Sequence, residues 1–405
     1  MIELGATLTL DVGPVAHGGC CVARHGDLVV FVRHALPGER VTARLTEVRS
    51  RYARAEVVEV VEPSAHRVQP RCPYAVPGGC GGCDWQHAEA DYQRELKTAV
   101  IREQMRRLAG VDAAASVEGT GLDWAWRTRV RFSTDPGGRA GFHRFRSSEV
   151  VAVDRCPIAH PVVEAAGVEG RRRPEDEAIE VAASSSSGEF AVTEFRRGGG
   201  SRRTGARRLT HTVRGRTFRV SPRTFWQVHP SAAELLVDAV LAALRPQHGD
   251  RAVDLYCGAG LFAAFLAQAV GPSGRVLAVE GDPAAVRDAA HNLRDLGVVD
   301  VRHADVGAAL RRGAIESIDL AVVDPPRSGL TPANVSALAA LRPRAVAYVA
   351  CDPAALARDL AAFADAGYRL GSLRAFDIFP QTHHVECVAI LTREGRRDAR
   401  HAAVV

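Results

Sequence analysis

From residue 251 onward the chain repeats one unit: a short β-branched run, a turn carrying Gly, Asp or Pro, and then a stretch of helical character. The runs are RAVDLY, GRVLAVE, DVRHA, IDLAVVD and AVAYVAC, and stretches such as PAAVRDAAHNLRDLG and AALARDLAAFADAG fill the gaps. Strands that alternate with helices of about ten to fifteen residues assemble as a parallel sheet covered on both faces, a doubly wound α/β fold. The last two runs, YRLGSLRAFDIF and HHVECVAILTRE, follow one another without a helix, so two strands in direct succession are expected at the end. In open α/β sheets ligands bind beyond the carboxyl ends of the strands. The residues at those ends are therefore the candidates for chemistry.

Four segments stand there. DLYCGAG, residues 254 to 260, joins a strand to a helix. Gly258 and Gly260 let the backbone turn sharply and approach a ligand, and the helix that follows offers free amides. Glu280 ends the next strand, where a carboxylate can bind both hydroxyls of a ribose. These features also fit a dinucleotide. The strict GxGxxG fingerprint is absent, because Leu261, Phe262 and Ala263 follow Gly260, and this favours S-adenosylmethionine. Asp324 opens DPPR, whose prolines stiffen a pocket wall. Arg327 stands where amino-methyltransferases carry an aromatic residue that stacks on a base. Cys351 lies in ACDP. A lone cysteine is ordinarily core packing, but the rim position and the following Asp352 and Pro353 argue for a nucleophile. A thiolate there can add to an electron-poor ring. Glu386 falls inside an apolar strand. Unless it lies on an outward face, burial raises its pKa and suits it to proton transfer.

The rest of the chain is organised differently. Its 405 residues are too many for one core, so two or three domains are expected. Residues 1 to 62 read as five short strands, a small barrel of the oligonucleotide-binding type with either an RNA-binding or a purely structural role. A central α+β region follows to residue 225, with a helix over 88–109 and an alternating strand, WRTRVRFST, that sets Arg127, Arg129 and Arg131 on one face. Residues 165 to 210 carry an acidic run (Glu175, Asp176, Glu177), four serines and RRGGGSRRTGARR. They are expected to form a loop insertion or a partly disordered segment. The ten arginines in residues 196 to 223 suit an RNA backbone, or a solvated loop. The third region, 226 to 405, is the repeating sheet. No run of about 18 apolar residues is present, and the N-terminus lacks the pattern of a signal peptide, so a cytoplasmic protein without membrane association is expected. Net charge is +5, and Lys97 is the only lysine. Nine cysteines in that compartment need an explanation other than disulfides. Cys72, Cys80 and Cys83, with Cys156 further on, have the donor set for zinc or an iron–sulfur cluster.

SPRTFWQVHP, DLYCGAG, DPPRSG, ACDP and HHVEC, in this order and spacing, resemble the RNA uracil-5-methyltransferase family over nearly the whole chain. The resemblance implies a class I methyltransferase sheet preceded by a TRAM barrel. It implies S-adenosylmethionine held by Gln227, Tyr256, Gly258, Gly260, Leu261, Glu280, Asp305 and Asp324. It makes Cys351 the nucleophile and Glu386 the base. It favours a [4Fe–4S] cluster on Cys72, Cys80, Cys83 and Cys156, although the first spacing is longer than usual. Leu261 departs from relatives with a polar residue there, which leaves only a backbone contact at that position. The partner implied is RNA, ribosomal more than transfer RNA, and the protein a monomer. Two other classes fit parts of the sequence. An N-methyltransferase would not need Cys351, and a non-catalytic iron–sulfur RNA-binding protein would not need the cofactor loop.

Overall fold

The computed structural model describes residues 3–173, 176–311, 315 and 317–393. Glu175 of the acidic run and the tail beyond residue 393 lie outside these. An eight-stranded sheet organises the C-terminal half. Its order is Val299–His303, Arg275–Glu280, Arg251–Leu255, Leu320–Val323, Ala345–Ala350, Glu386–Arg393, Tyr368–Asp377 and Val117–Gly119. The first five strands are parallel neighbours. Glu386–Arg393 runs antiparallel between Ala345–Ala350 and Tyr368–Asp377, as two successive strands without a helix require. Val117–Gly119 comes from the central region and extends the edge.

Alternation along each strand divides the sheet between two cores. Ala252, Ala278, Val322, Ala347, Val349 and Val388 pack with helices Ala232–Leu244 and Leu261–Val270 on one face. Val253, Val279, Val323, Tyr348, Cys387 and Ala389 pack with helices Pro332–Ala340 and Pro353–Asp365 on the other. Three helices begin the same way. Asp282, Thr331 and Asp352 each accept a backbone N–H of the first turn, and each is followed by proline at the first helical position. The side chain satisfies an orphan amide and the proline has no amide to satisfy, so these helices start sharply at the carboxyl ends of their strands.

The N-terminal strands Thr7–Val15, Cys21–His25, Leu28–Arg33, Arg40–Val48 and Tyr52–Glu62 close into a barrel. The barrel and the large sheet, read from sequence as separate cores, are joined by a shared helix. On Ala90–Gln104, Leu96 and Val100 enter the barrel core, while Ile101 enters the core beneath the sheet. The same helix buries Lys97 completely, with Nζ donating to Asp377 Oδ1 at 2.5 Å and to Phe379 O at 3.1 Å.

The central region holds a six-stranded sheet ordered Ser201–Gly205, Phe190–Arg196, Asp176–Ala183, Arg129–Thr134, Ala140–His143 and Val150–Ala152. This corrects the expected loop insertion at 165–210, which instead supplies three of these strands and the hairpin strand Leu209–Val213. Ile179, Val181, Ala183 and Val192 bury a satellite core with Val130 and Phe132. Ser201–Gly205 is exposed throughout at the sheet edge, where charged side chains discourage pairing with another chain. Of the ten arginines nearby, Arg208, Arg214 and Arg216 face Asp288, Asp238 and Asp295 as ion pairs. These three arginines hold the hairpin region against the helices of the large sheet. No helix among the described residues is long and apolar enough to cross a membrane.

Candidate active site

Register alone brings the candidate nucleophile and base together. Ala350 is the ladder partner of Cys387. One step outward, Cys351 therefore stands opposite Glu386, and directly opposed residues project from the same face. That face belongs to the core containing Ala347, Val349 and Val388. Asp324 follows Leu320–Val323 with the same parity, as do Asp254 and Glu280 on their strands. Five chemistry-bearing residues thus share one side of one rim.

Burial sets their electrostatics. Glu386 is 4% exposed; burial, and then the neighbouring Asp324, push its carboxyl well above the usual range, against the pull of Arg327. Burial pushes Asp324 up to about 7. Burial and the nearby Glu386 push the Cys351 thiol up to about 12, again opposed by Arg327. Cys351 and Glu386 at rest therefore favour their protonated forms, and Arg327 is the cation that favours their charged forms. The rival thiols are poorly placed. Cys387 is fully buried on the opposite face, and Cys257 is buried in the glycine loop.

The turn after Arg251–Leu255 is shaped for a ligand. Tyr256, Gly258 and Gly260 have φ of +63°, +55° and +90°. Gly260 has φ +90°, and a Cβ there would stand 2.8 Å from Leu293 Cδ1, so glycine suits the approach of this turn to the helix Pro283–Leu293. A Cβ on Gly258 would meet nothing within 4 Å, which leaves that backbone open to approach. The Gly258 N–H donates to Glu280 Oε2 at 2.9 Å, and the Gly281 and Asp282 amides hold Oε1. Asp254 is fully buried; Oδ2 accepts the Ala263 N–H, while Oδ1 has no partner. Tyr256 is half-buried with Asn334 and Asp305 near its hydroxyl, and Asp305 Oδ1 accepts the Ala308 N–H. Leu261 begins the following helix with its side chain in the core. Gln227 is buried and lines a small cavity with Thr128, His211 and Trp226.

Comparison with known proteins gives this arrangement its context. Residues 206–394 match the tRNA (uracil-5-)-methyltransferase family model, and residues 3–58 match the TRAM domain. An uncharacterized RNA methyltransferase of Streptomyces avermitilis is 47% identical, covering 96% of this chain and 98% of its own length. A 23S rRNA (uracil(1939)-C(5))-methyltransferase of Shewanella sediminis is 30% identical, with 96% of each chain covered. The chain belongs to the RNA uracil-5-methyltransferase family. Its fold matches that of the Pyrococcus abyssi tRNA (uracil-54, C5)-methyltransferase solved with S-adenosyl-L-homocysteine, at TM-score 0.72 and 21% identity over 95% of this chain and 100% of that one.

This family member places a second constellation away from the rim. Cys72, Cys80, Cys83 and Cys156 line a single cavity with Arg127, Gln86 and Tyr74. All four are unpaired thiols. Cys80 is tied by a bridge to Arg144, and Arg127 by a bridge to Ala159. The Gly82 N–H donates to Cys80 Sγ, and Gln86 accepts the Cys72 N–H. Among the described residues no three donors converge tightly enough for a single metal ion.

Several residues at these sites gave no sequence signal of their own. Asp84 accepts from both the backbone N–H and Nδ1 of His383, at 3.1 and 2.6 Å. His384 lies 3.3 Å from Arg327. Gln93 exchanges hydrogen bonds with Gln381. These long-range partners anchor the segment that leads into Glu386. The doubled histidine before VEC was visible in the sequence, but its partner Asp84, behind CGGC, was not.

Proposed function

We propose that this protein transfers a methyl group from S-adenosylmethionine to carbon 5 of a uridine in RNA, with Cys351 as nucleophile and Glu386 as base. The observation that carries the proposal is the opposition of Cys351 and Glu386 across one ladder, on the same rim as the open Gly258 backbone. The donor set fits the cofactor. A helix N-terminus, an open glycine turn, a strand-end carboxylate at Glu280 and a buried unpartnered Asp254 oxygen offer amides and acceptors to a nucleoside. Tyr256, Leu261, Asp305 and Asp324 border the same turn, and Gln227 is assigned with them. Bound there, S-adenosylmethionine supplies an electrophilic methyl group and a positive sulfonium that favours ionisation of the acidic rim.

Carbon 5 of uracil is too weak a nucleophile to take a methyl group unaided. Cys351, once deprotonated, adds to carbon 6, and the carbon 5–carbon 6 π pair moves toward the O4 carbonyl. Carbon 5, now enolate-like, would take the methyl group as the methyl–sulfur bond of the cofactor breaks and its pair stays on sulfur. Glu386 removes the proton from carbon 5, the carbon–sulfur bond breaks, and the double bond returns. One proton is released per methyl transferred. Arg327 holds a positive charge beside the thiolate and the carboxylate throughout. The target base must leave its stack, or lie unpaired, to reach a rim this buried.

The proposed substrate is 23S ribosomal RNA. Its support is the full-length relative that acts on that RNA. The proposed occupant of the cysteine cavity is a [4Fe–4S] cluster on Cys72, Cys80, Cys83 and Cys156. A multi-atom cluster suits four thiols that line one cavity, and Arg127 suits its negative charge. Methyl transfer itself consumes no electrons, so the cysteines serve the loops that they join.

Mass spectrometry of ribosomal and transfer RNA from a deletion strain tests the assignment. Loss of one 5-methyluridine in 23S ribosomal RNA is expected. Loss confined to transfer RNA would move the substrate, and no loss in either would overturn the activity.

A further inference from the structure

The turn between the first two barrel strands lies against the large sheet, with Gly19 buried and His17 partly exposed. It is closed by the Gly19 N–H donating to Ala16 O and the Ala16 N–H donating to Cys20 O. Within it, His17 Nε2 donates to Asp352 Oδ2 at 3.1 Å. Asp352 is the residue immediately after Cys351, and its other oxygen accepts the Ala355 N–H to cap the helix Pro353–Asp365. Two residues beyond His17, Gly19 adopts φ +85°, and a Cβ there would stand 2.8 Å from His383 Cβ and 3.4 Å from Asp84 Cβ. The Gly19 carbonyl accepts Trp85 Nε1 at 2.9 Å, which fixes the turn from behind. His383 in turn stands three residues before Glu386. One barrel turn thus presses on both chain segments that carry the reactive pair.

We propose that the Ala16–Gly19 turn is a positioning element for methyl transfer: His17, through Asp352, sets the strand end bearing Cys351, while Gly19 abuts the segment bearing Glu386. Neither residue needs to touch the base. Cys351 is the last residue before a helix cap, so a rotation of Asp352 turns the thiol with it. Misplacing a reacting group by about 1 Å costs on the order of a hundredfold in rate. The barrel accordingly contributes to the rate of addition as well as to holding RNA.

This inference rests on the uracil-5 reading, and the test separates the two. Full-length wild type, His17→Ala and His17→Gln are mixed with saturating 5-fluorouridine RNA and S-adenosylmethionine, and covalent adduct is timed on a denaturing gel. His17→Ala is expected to slow adduct formation about tenfold to a hundredfold at saturation. RNA affinity, and cofactor affinity by calorimetry, should stay within about twofold. His17→Gln, which keeps a donor, should recover most of the rate. An unchanged rate in His17→Ala overturns the proposal. So does a defect seen only in RNA affinity, which would make the turn an RNA contact. An equal defect in both variants with a lowered urea midpoint also overturns it, by making the turn a structural tie. Absence of adduct in the wild type would instead sink the uracil-5 reading itself.

Discussion

The catalytic rim and the cysteine cavity each gather residues from distant parts of the chain, but by different means. At the rim, each proposed catalytic residue sits at the end of a strand in one continuous ladder. Hydrogen-bond register and side-chain alternation then decide both neighbours and direction: Ala350 pairs with Cys387, so Cys351 opposes Glu386. In the cavity the ligand candidates lie on loops. Cys72, Cys80, Cys83 and Cys156 are held by isolated bridges, a glutamine side chain and the packing of the central sheet. A ladder transmits position over long distances; a loop holds position only where something ties it. The rim should therefore tolerate the loss of the cavity better than the cavity tolerates the loss of its own ties.

The largest effect belongs at the rim. Cys351→Ala should lower methylation by more than about 10³-fold and abolish the adduct with 5-fluorouridine RNA. Persistence of that adduct would return Cys387 or Cys257 to consideration. Glu386→Gln should lower turnover by about 10²- to 10⁴-fold while leaving addition and methyl transfer possible. A denaturing gel should show enzyme trapped on methylated RNA; a free product band would assign the base elsewhere.

Next in size is the helix that ties barrel to sheet. Lys97→Met leaves Asp377 buried without its cation, which costs about 3–5 kcal/mol. Pairing Lys97→Met with Asp377→Leu removes the uncompensated charge and should recover much of that loss in urea midpoint. If the single and double variants are equally destabilised, packing around the helix matters more than charge.

The comparison itself is tested by Cys83→Ser. Anaerobically purified wild type should be brown with iron present, and the variant colourless. Loops 72–83 and 153–156 should become protease-sensitive, while S-adenosylmethionine affinity changes by less than about threefold, well under 1 kcal/mol. Zinc without iron in the wild type would replace the cluster. A collapse of cofactor binding would show that cavity and rim are one unit.

The smallest effect concerns pH. The hydrogen bond to Asp352 raises His17 above its ordinary 6.5, against burial, with Glu103 and Arg107 the other charges facing it. Burial opposes ionisation of Asp352, but the bonds from His17 and the Ala355 N–H hold it down to about 2. The pair therefore contributes fully between Asp352's ordinary 3.8 and His17's ordinary 6.5. It fades as pH rises through the raised histidine pKa, and again as pH falls toward about 2. Since His17 is 37% exposed, the amount is below about 1 kcal/mol. The urea-midpoint gap between wild type and His17→Gln should be widest inside that window. A gap independent of pH would mean that the contact is not ionic.

What the sequence showed follows the same division. The parallel strands, the final antiparallel pair, the barrel strands and the rim positions of Asp324, Cys351 and Glu386 were readable because period and order suffice for them. Grouping of the four cysteines came from resemblance, since no periodicity connects Cys83 to Cys156. The strands at 176–205 were hidden. Their apolar alternation is short, and the edge strand SRRTG has arginines where a strand pattern would need apolar residues. His17, Asp84 and the Lys97–Asp377 pair depend on how barrel, helix and sheet dock, which local pattern does not encode.

Lys97 has one further consequence. It is the only lysine in the sequence, and its ammonium is sealed beneath a helix. Every side-chain cation on the surface is therefore a guanidinium or an imidazole, so acylation of lysine side chains cannot tune the charge that the folded protein shows to RNA. The same arrangement makes Lys97 a built-in reporter. An amine-directed label can reach that side chain only when the helix lifts from the sheet, so its rate of incorporation measures the opening of the joint between barrel and catalytic rim.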